Sequence, residues 1–311
     1  MKKRIAVLMG GPSAEFRVSL STGQSIIQNL DKEEFLPSKI LIDKKKNWFI
    51  DDKQVPLEKV IYFLKNKVWF CFLALHGCFG EDGTVQGFLE TLGIPYSGSP
   101  LLASALAMDK HKTLNLLNQA GLPVPSHNFF QSSINIDKSK ISFPCVVLPN
   151  NSGSSVGVSI CFSQKDLTTG IKKAFLESPA IIISQYLKGK EVSVPILGNS
   201  YLPIIEIIPK VSHFYDYKAK YQDGGSLHII PARLPKTVYK KTGELALLAH
   251  QVLGCRAYSR VDMIVAKNKP YILEVNTLPG MTPTSLLPQA ALAAGISYPK
   301  LLKLMIQYSL S

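Results

Sequence analysis

Apolar and polar positions alternate along this chain in a readable order. Between residues 4 and 97, short apolar runs suited to strands ("RIAVLM", "KILI", "VWFCFLAL") alternate with helical stretches. One helix is expected over Ser19–Leu30, with Ile26, Ile27 and Leu30 on one side, and another over Gly83–Leu92. Alternation of strand and helix predicts a parallel sheet covered by helices. Ligands bind at the carboxyl ends of such strands, where the loops "GGPSAEFRVS" and "LHGCFGEDGT" fall. "SPLLASALAMDKHKTLNLLNQAGLPVP" reads as a helix stopped by Gly121 and Pro123. Strands "FPCVVLP" and "VGVSI" follow, joined by "NNSGSSVG". A helix over Gln164–Phe175 capped by Ser163 and a strand "AIIISQYL" come next. The last part predicts strands "KEVSVPIL" and "YLPIIEII", a polar loop "FYDYKAKYQDGGS" and a helix near 238–253. A hairpin of "YSRVDMIV" and "PYILEVN" across "AKNK" and two final helices complete it. The expected units are 1–98, 99–184 and 185–311, in an α/β chain whose first unit holds the parallel sheet. No internal repeat and no low-complexity tract is present.

Composition narrows the class. Apolar residues make up 46% and charged residues 18%, which suits a globular chain. No apolar run approaches the roughly 20 residues that a membrane helix needs. No membrane partner is therefore expected. "MKKRIAVLMGG" resembles a signal peptide, but its apolar centre spans only Ile5–Met9 before the glycines, so it is read as a first strand. The five cysteines are scattered without a Cys-x-x-Cys pair. This suits a reducing cytoplasm and argues against a disulfide frame or a zinc site. Of the net charge of +13, +8 lies in residues 185–311. With five arginines and no basic stripe, a polyphosphate substrate, or merely a lysine-rich proteome, accounts for this charge more simply than nucleic acid does.

The hairpin carries the first candidate chemistry. Residues two apart on a strand share a face. Arg260 and Asp262 should therefore lie together, as should Glu274 and Asn276, with Leu273 and Val275 on the opposite face. Two carboxylates and an amide oxygen are hard ligands suited to Mg²⁺, and an arginine beside them can clamp a phosphoryl group. A solvated edge strand is the plainer alternative. "NNSGSSVG" can wrap a phosphate with backbone N–H groups, or be a simple turn. "YDYKAKY", with Tyr217, Lys218, Lys220 and Tyr221, reads by itself as a solvated basic loop.

"LMGGPSAEFRVSL", "ALHGCFGEDGTVQGFLETLGIPYSGS", "ASALAMDK", "GSSVGVS", "YDYKAKY", "RVDM" and "LEVNTLPGMTPTSL" stand in one order over nearly the whole chain. This ordered set resembles the D-alanine–D-alanine ligases of the ATP-grasp superfamily. The resemblance implies ATP-dependent joining of two D-alanines through an acyl phosphate, in cytoplasmic synthesis of peptidoglycan precursors by a homodimer. It implies that Glu15 holds the first D-alanine's ammonium and that His76 lies near its carboxylate, although a lone histidine is more often structural. Asp262, Glu274 and Asn276 would bind two Mg²⁺, with Mn²⁺ as a substitute. Arg260 and the Gly280 N–H would face the oxyanion, and Ser285 with the Leu286 backbone the second carboxylate. Ser154, Tyr221 and Glu15 would close a loop over the site. Lys110, Ser155 and Lys220 would contact ATP, with Leu187 near adenine and Glu191 on the ribose. The pattern departs at Leu148, where the family carries a lysine, and at Ser184-Gln185, in place of an acid and a lysine. Alternatives are a D-lactate or D-serine acceptor, or a nucleotide-binding homologue with impaired catalysis.

Overall fold

The computed structural model describes residues 2–153, 155–210 and 224–311. The first strand, β1 (Lys3–Gly10), has six consecutive buried residues, as expected of a strand covered on both faces. It pairs in parallel with β2 (Phe35–Ile42) and with β5 (Phe70–Leu73). The expected parallel core is present. The sheet also continues beyond β2 through antiparallel β3 (Trp48–Ile50) and β4 (Lys53–Val55). Helices α1 (Phe16–Asn29), α2 (Leu57–Lys67) and α3 (Thr84–Thr91) belong to this unit.

The helical run after residue 100 is broken. It forms α4 (Leu101–Met108) and α5 (Lys110–Gln119), not the single helix its periodicity predicts. Asp109 leaves the helical region at φ −88° and ψ 97°, and its carboxylate accepts the Lys112 N–H at 3.1 Å. An aspartate that caps the second helix ends the first. The expected stop holds, because Gly121 takes a left-handed φ of 78° after the last turn of α5. A four-stranded antiparallel sheet follows, made of β6 (His127–Phe130), β7 (Cys145–Pro149), β8 (Ser159–Cys161) and β9 (Ile181–Gln185) in the order β6-β9-β7-β8. Helix α6 (Gln164–Glu177) buries Leu167, Ile171 and Ala174, and the Ser163 hydroxyl accepts the Asp166 N–H as its cap.

Among the described residues, the third sheet has six strands. They are β10 (Lys190–Leu197), β11 (Ser200–Tyr201), β12 (Ile205–Pro209), β13 (Ser226–Ile229), β14 (Tyr258–Ala266) and β15 (Lys269–Asn276). The order is β13-β12-β10-β14-β15, with β11 on β10. "YLPIIEII" is thus two strands, interrupted at Pro203, which has no N–H for a ladder. The predicted hairpin is present. Its turn residues Lys267 and Asn268 both take positive φ, as a two-residue turn matched to strand twist requires. Helix α7 (Lys236–Val252) covers this sheet with Val238, Ala246 and Ala249. Helices α8 (Leu286–Ala293) and α9 (Tyr298–Leu310) belong to a different core from α7, one that also takes in Leu197, Ile205 and Tyr258 of this sheet. Leu287, Ala290, Leu302 and Met305 share one core with β1, β2 and β5. Among the described residues, no helix is long and apolar enough to cross a membrane.

Candidate functional site

The β14–β15 hairpin sets the floor of the site. Arg260 stands opposite Asn276, and Asp262 opposite Glu274. Between Asp262 and Met263 the register shifts, because Glu274 and Ile272 face consecutive residues and Leu273 is left over as a bulge. The expectation that Leu273 shares a face with Val275 is therefore overturned. The extra residue changes the phase of the strand, so Ile272 and Val275 enter the core while Leu273 and Glu274 both line a pocket. Arg260 forks onto Asp262, with Nε to Oδ1 at 2.9 Å and Nη2 to Oδ2 at 2.7 Å. Ser193, across from Asp262 on β10, donates to Oδ1 at 2.7 Å. Arg260 is 9% exposed and Asp262 8%. Their charges are therefore compensated by each other more than by water. Asn276 Oδ1 accepts the Leu278 N–H at 2.9 Å, and a carbonyl oxygen keeps a second lone pair for a ligand.

Two pockets meet at this floor. The first is lined by Glu15, His76, Lys110, Arg260, Glu274, Asn276 and Gly280. The second has apolar walls of Val146, Leu148, Ile160, Ile182, Ile264 and Leu273. Lys110, Ser155, Asp262 and Glu274 are polar groups of its lining, and Leu187 and Glu191 also line it. Lys110 belongs to both. Its Nζ donates to the Ser152 carbonyl at 2.6 Å and lies 3.4 Å from Glu274 Oε2. The end of β7 holds this lysine in place: Asn150 accepts the His111 N–H through Oδ1 at 2.9 Å and donates Nδ2 to Asp109 at 2.9 Å. Burial raises the Asp109 pKa, but hydrogen bonds from Asn150 and Lys112 outweigh it and leave the carboxyl below its usual range.

Glu15, 8% exposed, sits between two glycines. A Cβ on Gly77 would lie 3.0 Å from its Oε2, and one on Gly153 3.1 Å, so a larger residue at either place would crowd the carboxylate. The Glu15 N–H donates to the Ser13 hydroxyl, which donates to the His76 carbonyl. The His76 ring is held by Thr22 Oγ1 at 2.9 Å on Nε2 and approaches Glu81 Oε1 at 3.4 Å through Nδ1. Gly280 lies against Ser285, whose Oγ is 2.8 Å from where a Cβ on Gly280 would be. Ser285 precedes α8 but does not cap it. Its hydroxyl instead accepts the Thr282 N–H at 3.1 Å, which leaves the first N–H groups of α8 without a side-chain cap.

Eleven of the residues assigned a role from the sequence thus line the two pockets: Glu15, His76, Lys110, Ser155, Leu187, Glu191, Arg260, Asp262, Glu274, Asn276 and Gly280; Leu148, Ser184 and Gln185, where the family pattern departs, line the second. Ser285 and Leu286 adjoin them at α8. Ser154, Lys220 and Tyr221 lie outside the described residues. Sequence reasoning missed Thr22, Glu81, Asn150, Ser152, Ser193 and Leu273. Of these, the polar run "PNNSG" offered a signal for Asn150 and Ser152 alone. Among the described residues, no group of three or more His, Cys, Asp or Glu side chains could hold a metal ion. The donor set of two carboxylates and one amide fits Mg²⁺ that completes its shell with phosphate oxygens and water.

Comparison with known proteins extends this geometry. A family model of the D-ala D-ala ligase N-terminus matches residues 4–61 and 59–99, and one of the D-ala D-ala ligase C-terminus matches 116–307. D-alanine–D-alanine ligase B of Clostridium perfringens is 43% identical over 99% of this chain and 98% of its own. The D-alanine–D-alanine ligase of Citrifermentans bemidjiense is 44% identical over 98% of this chain and 96% of its own. The crystal structure of the Bacillus anthracis D-alanine–D-alanine ligase complexed with ATP matches with a TM-score of 0.84 at 37% identity, covering 99% of this chain and 97% of that one. The VanG D-Ala:D-Ser ligase of Enterococcus faecalis matches with a TM-score of 0.85 at 29% identity, covering 99% and 100%.

Proposed function

The chain belongs to the D-alanine–D-alanine ligase family, and on that footing we propose how its site joins two D-alanines into D-alanyl-D-alanine for peptidoglycan precursors, converting one ATP to ADP and phosphate. The observation that carries the reading is the meeting of two pockets over one hairpin, with Lys110 and Glu274 lining both. The nucleotide base lies between the apolar walls near Leu187, with Glu191 on the ribose. Lys110, Ser155 and Lys220 reach the phosphates. Asp262, Glu274 and Asn276 would hold Mg²⁺, or Mn²⁺, which supplies neutralisation of charge on the β- and γ-phosphates.

Glu15 holds the ammonium of the first D-alanine, and His76 lies near its carboxylate. A carboxylate oxygen attacks the γ-phosphorus, the bond to the β–γ bridging oxygen breaks, and ADP leaves. The second D-alanine places its carboxylate at Ser285 and the Leu286 N–H, at the start of α8. Its amine, having lost a proton, attacks the acyl carbon. Arg260 and the Gly280 N–H face the oxyanion that forms, and cleavage of the C–O bond releases phosphate and leaves the amide. Ser154 and Tyr221, outside the described residues, are assigned by the family pattern, with Glu15, to keeping water from the acyl phosphate. The reaction belongs in the cytoplasm, where ATP is available, and the protein is read as a homodimer.

The test is phosphate release with ATP, Mg²⁺ and D-alanine, with the product identified by mass. One dipeptide per phosphate is expected. Phosphate without dipeptide would overturn the reading. D-serine and D-lactate, run in parallel, address the acceptor, since one similar structure is a D-Ala:D-Ser ligase.

A further inference from the structure

Two side chains outside the lining of both pockets tie helix α8 to the edge of the third sheet. Gln289, in the first half of α8, donates Nε2–H to the Thr284 carbonyl at 2.6 Å. Its Oε1 lies 3.1 Å from His228 Nδ1, and His228 Nε2 lies 2.9 Å from the Ser226 hydroxyl. The Thr284 carbonyl can only accept, so the Gln289 amide must point its nitrogen there and its oxygen at the imidazole. His228 then carries its proton on Nδ1, and its Nε2 accepts from Ser226. Burial lowers the His228 pKa, so the ring is neutral at neutral pH.

The chain of bonds Ser226–His228–Gln289–Thr284 joins two places. One is β13, which among the described residues is the last strand of the third sheet and follows residues 211–223 in the chain. The other is the Thr282–Ser285 loop, whose Ser285 hydroxyl is bonded to Thr282 and which leads into α8. Buried Leu286, Leu287, Ala290 and Ala291 seat α8 on the core, but apolar contact is non-directional. The Gln289 bonds add the direction.

We propose that His228 and Gln289 are positioning residues for the acceptor subsite, holding the loop before α8 and its first turn against β13 so that the second D-alanine's carboxylate is anchored and its amine is placed for attack. This rests on the function proposed above. The donor D-alanine and ATP bind on other elements and are outside its reach.

The test uses the full-length protein at neutral pH and the variants His228→Phe, Gln289→Leu, both together, and His228→Asn, whose amide N–H stands where Nδ1–H was. The dependence of rate on D-alanine is resolved into donor and acceptor KM values. The first half-reaction is read separately with hydroxylamine, which attacks the acyl phosphate to give a hydroxamate and phosphate without an acceptor amino acid. His228→Phe should raise the acceptor KM about fivefold, the size of one hydrogen bond between neutral groups. The donor KM and the hydroxamate rate should hold, and His228→Asn should restore most of the loss. The double variant should be no worse than the worse single one, because the two residues act as a unit. An unchanged acceptor KM in both single variants overturns the proposal. So does a joint change of both KM values and the hydroxamate rate, or an Asn variant that behaves like Phe. A wild-type protein that forms hydroxamate but no dipeptide overturns the proposed function, and this inference with it.

Discussion

Leu148 stands half-buried on the wall of the second pocket, across from Ile182 on β9, with Lys110 on the same lining. A lysine in its place would point its ammonium into the space proposed for the phosphates. Charge-assisted contacts of this kind are worth roughly 1.5–3 kcal/mol. Leu148→Lys is therefore expected to tighten ATP binding about tenfold or more. Calorimetry and a melting curve check this: weaker ATP binding with a lower Tm would mean a buried, unpaired charge instead. Glu274 is the second single-residue case, lying opposite Asp262 and 3.4 Å from Lys110. Glu274→Gln keeps the shape and removes one charge at the proposed metal site. Turnover should fall by orders of magnitude with the fold intact by circular dichroism, and near-normal turnover would remove Glu274 from the metal role. Glu274 and Asp262 were legible in the sequence because a carboxylate inside an apolar strand demands a partner. Ser193 and Thr22 were not. A hydroxyl in an apolar run looks like filler until the cross-strand register or the fold brings it to Asp262 or His76.

Elements were legible where a local rule decides them. The Lys267–Asn268 turn and the Ser163 cap follow from a few adjacent residues. The break at Asp109 and the bulge at Leu273 did not show, because each depends on what another element offers: Asn150 at the end of β7, and Met263 on β14. The junction of α7 with β14 leads to a prediction of the same scale. His250, in the last turn of α7, is 4% exposed and bonds Ser259 Oγ through Nδ1 at 2.7 Å. Burial pushes its pKa down to about 4 from a usual 6.5. The unfolded chain therefore binds a proton that the folded one refuses as pH drops from 6.5 towards 4. Its stabilising contribution is complete above that window and is lost within it. From pH 7 to pH 4.5 the loss should be roughly 2–3 kcal/mol. His250→Gln does not titrate there, so urea unfolding of the variant should show a shallower fall over the same range. Parallel pH slopes for the two proteins would assign acid lability to other groups.

At the scale of the molecule, the two ends of the chain form one body. Leu302 and Met305 of α9 are fully buried in the core built around β1, β2 and β5. The Ser309 hydroxyl accepts the Gly98 N–H at 3.2 Å, and Lys303 pairs with Glu34 at 2.6 Å. The sequence predicts a final helix but not which sheet covers it, since a local pattern carries no address. This closure has a mechanical consequence. Glu15 and His76 rise from the loops after β1 and β5, while Gly280 and Ser285 lie on the return path from β15 to α8. The shared core therefore sets the side of the site proposed for D-alanine as a unit, and the β6–β9 sheet has a separate core of its own. Leu302→Ala should cost ~2–5 kcal/mol through lost burial and a residual cavity. In hydrogen exchange, amides of β1, β2 and β5 should lose protection together with α9, while those of β7 and β9 keep theirs. ATP affinity should be nearly unchanged under conditions where the variant stays folded, and the KM for D-alanine should rise. Loss confined to α9 would show that the helix frays alone. Equal loss in all three sheets would show one cooperative body and refute the division.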